Sequence, residues 1–302
     1  MASNFARLTP GQHTVDVDGV RVSYHVAGRG PVCLVHPGGP GFSWHYMRMP
    51  AVEEHLTTVY IEPIGTGESG RLPTHPHGYT RHWHTRTVAA VLDHLELPKA
   101  HLLGHSHGGG FVAQHCAVHL PHRLAGVVLY ASAPAVDQSH VAEATRNLTQ
   151  FARRNSGHPG VAAAVLAAWR SIPTISRDED VVRISRALLP ACFADFWGHS
   201  RDFTASAQDV TGSYISGLDE HGVPQPMDDR RVLGSITVDT LVLAGRHDFL
   251  CGPRWAEELH KLIPGSGLTI FEQSGHVAHV EQPAEFAKAV VDFVRGKGSR
   301  HG

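Results

Sequence analysis

The sequence predicts an α/β protein in which helices cover both faces of a mostly parallel, eight-stranded sheet. Two observations lead to this fold class. Short apolar runs rich in Val, Ile and Leu alternate with helical patterns in the first 133 residues and again after residue 234. Most of these runs are continuous rather than alternating, as expected of strands buried on both faces. Between them, residues 134–234 show helical patterns without a convincing buried strand.

The predicted strands are eight short runs. The first two flank Asp18 and Gly19, which form a hairpin turn signal. In chain order the strands are 13–17, 20–27, 31–36, 56–62, 101–104, 124–130, 237–244 and 268–271. Helices are predicted from the 3.6-residue spacing of apolar side chains at 80–97, 109–120, 254–262 and 284–294.

The middle of the chain is predicted to be a helical cap. Helical patterns at 161–169 and 181–189 lie within residues 134–234. We therefore expect one α/β core, formed by residues 1–133 and 235–302, with the cap inserted as residues 134–234.

Composition excludes several classes of function. The 302 residues carry a net charge of −2, without a polybasic run, so neither nucleic acid nor an anionic membrane is expected as a partner. The four cysteines form no CxxC pair, and the chain start lacks the apolar core of a signal peptide, so a reducing cytoplasm is expected. His-x-His pairs occur without a clustered carboxylate or cysteine, so no metal or cofactor is expected and the partner is a small-molecule substrate.

A candidate nucleophile lies between a predicted strand and a predicted helix. The sequence at 104–108 is G-H-S-H-G, a G-x-S-x-G pattern centred on Ser106. A serine on such a tight turn projects from the backbone, and the following helix directs N–H groups at developing negative charge. The alternative is a glycine-rich turn with a bystander serine.

A base and an acid follow in the order Ser, Asp, His. Asp248 comes after the apolar run 237–244, and His276 comes after the run 268–271. Since parallel strands place their carboxyl ends at one edge of the sheet, both side chains are expected beside Ser106. A serine hydroxyl needs a base to act as a nucleophile, so we predict His276 as base and Asp248 as its orienting acid. His247 and His279 are weaker candidates for the base.

The loop at 36–41, H-P-G-G-P-G, is the candidate oxyanion-binding loop. One donor is predicted to be the backbone N–H of His107. Proline has no N–H, so the second donor is predicted to be Gly38 or Gly39.

These motifs together resemble the α/β-hydrolase superfamily, and within it the proline iminopeptidase group. That group carries an H-G-G-P-G loop, a G-x-x-D acid (here 245–248) and an S-G-H base (here 274–276), and it has a helical cap. Two features of the group are missing. The group's D-Q-R-G-x-G-x-S is replaced by E-P-I-G-T-G-E-S at 62–69, and the Trp-Glu pair that binds the substrate amine is absent.

Three functions remain open. The first is a serine hydrolase acting on an ester, lactone or amide. The second is an aminopeptidase like the proline iminopeptidases. The third is a cofactor-free, non-hydrolytic enzyme of dioxygenase or lyase type, because histidines flank Ser106 on both sides as in dioxygenases of this fold.

Overall fold

The computed structural model describes residues 7–199 and 211–296, and these residues form one eight-stranded sheet. The strand order across the sheet is β1-β2-β4-β3-β5-β6-β7-β8. The strands are β1 (Gly11–Val17), β2 (Val20–Gly28), β3 (Val32–His36), β4 (Thr57–Ile61), β5 (Ala100–His105), β6 (Leu124–Tyr130), β7 (Thr240–Gly245) and β8 (Gly267–Phe271).

Only the amino-terminal edge of the sheet is antiparallel. Strand β2 pairs antiparallel with β1 and with β4, and all the other neighbouring strands run parallel. The predicted hairpin turn has Asp18 at φ 52° and Gly19 at φ 82°, the positive values that a two-residue turn of this hand requires. The predicted α/β fold with eight mostly parallel strands is confirmed.

Both faces of the sheet are buried because consecutive residues of the central strands enter different cores. Leu34, Leu102 and Val127 belong to one apolar cluster. Their immediate neighbours Val35, Leu103 and Val128 belong to the other. This arrangement explains why these strands are continuous apolar runs in the sequence.

The helices lie on both sides of the sheet and in the segment between β6 and β7. They are α1 (Pro50–Glu53), α2 (Arg81–His94), α3 (Gln114–His119), α4 (Gln138–Arg154), α5 (Pro159–Ser171), α6 (Asp178–Leu188), α7 (Pro253–Leu262), α8 (Ala278–Glu281) and α9 (Pro283–Val294). A π-helical turn, Gly108–Ala113, precedes α3. Residues of α2 and α3 pack in one apolar cluster, and residues of α1 and α9 pack in the other.

Helix α2 ends earlier than the predicted 97. Glu96 adopts a left-handed φ of 54°, and its N–H bonds the carbonyl of Asp93 at 3.0 Å. The N–H of Leu97 bonds the carbonyl of Leu92 at 2.9 Å. These two bonds form a Schellman motif, which terminates the helix before Pro98 can.

Helices α4, α5 and α6 lie between β6 and β7 in the chain. The first and last residues of this segment lie next to each other. The Val136 N–H donates to the Met227 carbonyl, and the Asp229 N–H donates to the Pro134 carbonyl, both at 2.9 Å. Apolar residues of α4 and α5 share a small core with Phe249 of the β7–α7 loop. The segment is therefore closed at its base and packs against a loop that follows the carboxyl end of the sheet.

Candidate active site

Ser106 occupies a strained turn between β5 and the π-helical turn. Its φ is 53°, in the left-handed region that a residue with a side chain seldom adopts. The Ser106 N–H donates to the carbonyl of Tyr130 at the end of β6, at 2.8 Å, which fixes the turn to the sheet. A Cβ at Gly104 would lie 2.2 Å from the Gly108 carbonyl, so the chain can cross itself only with glycine there.

The predicted base and acid are hydrogen-bonded to each other. His276 Nδ1 lies 2.8 Å from Asp248 Oδ2. The other carboxylate oxygen of Asp248 accepts the backbone N–H groups of Leu250 (2.8 Å) and Cys251 (3.0 Å). Since the carboxylate only accepts, Nδ1 carries the proton and Nε2 of a neutral His276 is free to accept one. Ser106 and His276 both line one cavity, described below.

The two other candidates for the base, His279 and His247, differ from His276 in their surroundings. His279 is buried, with Nδ1 3.0 Å from the Tyr130 hydroxyl and Nε2 2.9 Å from the Tyr46 carbonyl. Burial lowers the pKa of His279 to about 4. His247 is exposed and does not line the cavity that contains Ser106. The contacts favour His276 over both.

A one-way chain of hydrogen bonds links His276 to residues 36–41, which we call the glycine loop. Burial holds the pKa of His105 well below its usual value, so this ring carries a single proton. His105 Nε2 lies 2.9 Å from the carbonyl of His276, which can only accept, so the proton is on Nε2. Nδ1 of His105 therefore accepts from the Tyr46 hydroxyl at 2.9 Å, and the Tyr46 oxygen accepts the N–H of Gly38 at 2.6 Å.

This chain separates the two predicted loop donors. The Gly38 N–H is committed to Tyr46, so it is turned away from an oxyanion at Ser106. Within residues 7–199 and 211–296, no intramolecular acceptor is found for the Gly39 N–H. The N–H of His107 lies in the first turn of the helix that follows Ser106, where N–H groups lack intrahelical acceptors.

We expect Tyr46→Phe to lower kcat about tenfold with little change in KM, as the glycine loop loses its anchor. Removing a hydroxyl that serves two buried groups should also lower the free energy of unfolding by about 1–3 kcal/mol. The measurement is steady-state kinetics on an ester together with urea unfolding.

Tyr60→Phe is the matched control. The buried Tyr60 hydroxyl also accepts a backbone N–H, that of Met49 at 3.0 Å, and donates to Glu53 at 2.7 Å. It does not line the cavity with Ser106. Tyr60→Phe should lose similar stability and keep kcat. Equal kcat in the two variants would refute a positioning role for Tyr46.

Glu281 ties the segment before His276 to the helical region. Its Oε2 accepts the Gly275 N–H at 2.6 Å, and its Oε1 accepts the N–H groups of Ala194 (2.8 Å) and Asp195 (3.0 Å). In addition, the His276 N–H donates to the Cys192 carbonyl at 2.6 Å. The backbone of the base is thus held by residues that follow α6.

Neither Tyr46 nor Glu281 is identified by the sequence. Tyr46 lies in an irregular segment after the glycine loop, and Glu281 is one of many acids on surface-like helical patterns. The His105 position is visible as the first x of G-x-S-x-G, but its contacts depend on the relative placement of three segments.

The cavity that contains Ser106 and His276 has a volume of about 950 Å³. Its floor includes the glycine loop and Tyr46, and side chains of α6 such as Ile184, Ser185 and Arg186 form another wall. Most lining side chains are apolar, and none of the described lining residues is Asp or Glu. The arrangement can hold a largely apolar molecule against a serine, an imidazole and backbone N–H groups.

The described part of the chain contains no group of three or more His, Cys, Asp or Glu side chains placed to hold a metal ion. None of its helices combines the length and the apolar character needed to cross a membrane. Cys33 and Cys116 are buried and are not part of a disulfide.

The sequence profile described as alpha/beta hydrolase fold matches residues 31–283. The chain belongs to this family. The fold of the chain agrees with this family. The structure of an α/β-fold hydrolase from Bacillus anthracis superposes on it with a TM-score of 0.71 at 18% identity, over 93% of this chain and 98% of that one.

Three curated relatives are similar over nearly their whole length. A 2-hydroxy-6-oxo-2,4-heptadienoate hydrolase of Pseudomonas putida is 28% identical, over 91% of this chain and 93% of its own. A putative 2-succinyl-6-hydroxy-2,4-cyclohexadiene-1-carboxylate synthase of Bacillus subtilis is also 28% identical, over 92% and 96%. A proline iminopeptidase of Lactobacillus crispatus is 24% identical, over 89% and 93%. The predicted resemblance to the family and to the proline iminopeptidase group is confirmed, and the protein is a hydrolase-family enzyme.

Proposed function

We propose that the protein is a serine hydrolase that cleaves an ester, lactone or amide bond of a small molecule through an acyl-enzyme. The observation that carries this proposal is the convergence of two elements on one cavity. Ser106 stands on a left-handed turn at the end of β5. His276 lines the same cavity and is hydrogen-bonded to a carboxylate, Asp248, whose side chain is 0% exposed.

The mechanism follows from the protons and acceptors at the site. His276 Nε2 takes the Ser106 hydroxyl proton as the oxygen attacks the carbonyl carbon. The Asp248 carboxylate stabilises the imidazolium that forms. The N–H groups of His107 and Gly39 bind the oxyanion, each contributing about 10²–10³ in turnover. The intermediate collapses, His276 donates its proton to the leaving group, and a water activated by His276 then releases the acid.

We further propose that residues 134–234 form a cap that sets specificity. The segment is closed at its base by the hydrogen bonds between Pro134 and Asp229 and between Val136 and Met227. Helix α6 lines the cavity, and the backbone of His276 bonds Cys192. A cap linked to both the substrate wall and the base would couple the bound substrate to the position of the base.

The cavity favours small molecules without a positive charge. Burying an ammonium group needs a paired acceptor of opposite charge. The described residues that line the cavity include no Asp or Glu to pair with an ammonium group. The one Lys or Arg among them is Arg186. The names of the Pseudomonas putida hydrolase and the Bacillus subtilis synthase both refer to small organic acids. Such compounds agree with a largely apolar cavity that carries one cation.

An aminopeptidase is the first alternative, supported by similarity to the proline iminopeptidase of Lactobacillus crispatus. We expect prolyl-p-nitroanilide to be cleaved no more than about threefold faster than its N-acetyl form, because the described residues that line the cavity include no carboxylate for the free amine. The measurement is kcat/KM for both compounds. A preference of a hundredfold or more for the free amine would overturn our substrate class and establish the aminopeptidase.

A non-hydrolytic enzyme is the second alternative, supported by the relative named as a synthase. Such an enzyme would use the site for proton transfer alone. Both ring nitrogens of His105 are engaged, and the ring of His107 lines a different cavity, so neither flanking histidine offers a nitrogen to substrate beside Ser106. The contacts therefore leave His276 as the candidate base for either reaction.

A further inference from the structure

A second, smaller cavity lies beside the glycine loop. Its volume is about 230 Å³, and it shares Gly38, Pro40 and Ile215 with the cavity of Ser106. Ser106 and His276 do not line it. We call it the histidine chamber, because the rings of His36, His84 and His107 line it.

The histidine chamber contains unpaired buried nitrogens. Nε2 of His36 and Nδ1 of His84 have no hydrogen-bond partner within the described part of the chain. His36 is 1% exposed and His84 is 5% exposed. Their rings meet edge to face with centroids 5.2 Å apart. A buried polar atom without a partner is costly, so a ligand that satisfies these nitrogens gains binding energy.

The protonation of His36 defines what it can bind. Its Nδ1 lies 3.0 Å from the Pro37 carbonyl, which only accepts, so Nδ1 holds the proton. Burial lowers the pKa of His36 to about 4, so the ring is neutral at pH 7 and Nε2 is a bare acceptor. Nε2 therefore needs an O–H or N–H donor from the ligand.

The residues that line the histidine chamber also restrict the charge that its ligand can carry. None of the described residues that line the histidine chamber is Asp, Glu, Lys or Arg. An ammonium would have no counter-ion, and a carboxylate has no proton to donate to His36 Nε2. A hydroxyl can donate to His36 Nε2 and, when the proton of His84 is on Nδ1, accept from that N–H, which matches a pair of neutral imidazoles.

The other walls of the histidine chamber and its volume are suited to an aromatic ring. The other walls include Ile64, Tyr79, Phe111 and Met227. An apolar cavity of about 150 Å³ holds benzene in another protein, so about 230 Å³ leaves room for a substituted ring. We propose that the histidine chamber is a binding site for an uncharged hydroxylated ring of the phenol class, whose hydroxyl is held by His36 and His84.

The test is a ¹⁹F NMR titration of the full-length protein at pH 7.5, carried out once with 4-fluorophenol and once with 4-fluorotoluene. The two probes have similar shape, and only the phenol can donate a hydrogen bond. We expect the phenol to bind about tenfold more tightly, in line with one buried hydrogen bond. Equal affinities would overturn the proposal.

Three variants locate the bound probe. His84→Leu should reduce the preference for the phenol, because the hydroxyl loses one of its two partners, whereas His82→Leu, at an exposed position of the same helix, should keep it. Val136→Trp adds bulk at a lining residue that is 55% exposed, so it should block the histidine chamber in a protein that still folds. Phenol binding that persists unchanged in both Val136→Trp and His84→Leu would place the probe elsewhere and refute the assignment.

Discussion

Ser106→Ala should lower kcat for ester hydrolysis by about 10⁴–10⁶-fold, the loss typical of removing a nucleophile from an assembled triad. The physical reason is that no other group then forms the acyl-enzyme, and His276 can only assist attack by water. The measurement is the rate of p-nitrophenyl butyrate hydrolysis at enzyme concentrations high enough to detect the residual activity.

Ser185→Ala is the matched control, because Ser185 lines the same cavity on α6. It should change kcat by no more than a fewfold. Retained activity in Ser106→Ala, or a comparable loss in Ser185→Ala, would contradict the assignment of the nucleophile.

Acidification should unfold the protein steeply, with a midpoint near pH 5. Desolvation lowers the pKa of His36 and His279 to about 4 and that of His107 to about 3, and it holds the pKa of His84 and His105 well below the usual value. Four of these five histidines are buried, and His107 is half-buried. The unfolded chain binds their protons below about pH 6.5 and the folded chain does not, so the free energy of unfolding falls as pH falls.

Two buried carboxyls act in the opposite direction. Burial raises the pKa of Glu62 to about 7 and raises that of Glu281, so the folded protein binds their protons first. Glu62 offsets one of the five histidine protons and Glu281 at most one more, so about three to four protons remain in favour of the unfolded state, which corresponds to about 4–5 kcal/mol for each pH unit. Since domains are stable by about 5–15 kcal/mol, little stability remains near pH 5.

Urea unfolding at pH 7.5, 6.5 and 5.5 measures this slope. His84→Leu should flatten it by about one proton. His221→Gln, at an exposed histidine, should leave it unchanged. A free energy of unfolding that stays constant within about 1 kcal/mol from pH 7.5 to 5.5 would show that these histidines are not buried neutral.

Much of the site could be predicted because it depends on local patterns. The turn at Ser106 needs glycine at 104, because a Cβ there would lie 2.2 Å from the carbonyl oxygen of Gly108. Asp248 and His276 follow apolar strands whose carboxyl ends meet at one edge, so chain order and strand assignment suffice to bring them together. The hairpin at Asp18 and Gly19 is local in the same sense.

The donors of the glycine loop could not be resolved from sequence. Gly38 and Gly39 are equivalent there, and only the position of the Tyr46 hydroxyl, 2.6 Å from the Gly38 nitrogen, distinguishes them. The end of α2 depends on the left-handed backbone of Glu96, a residue with no sequence preference for that conformation. Contacts between distant segments decide the first feature, and local backbone hydrogen bonds accompany the second.

The most direct test of the central claim is intact-mass measurement after treatment with a fluorophosphonate probe. An activated Ser106 in a folded protein should give one adduct per chain in the wild type and none in Ser106→Ala. No adduct on the folded wild type, or an adduct that survives in Ser106→Ala, would contradict the assignment of Ser106 as an activated nucleophile.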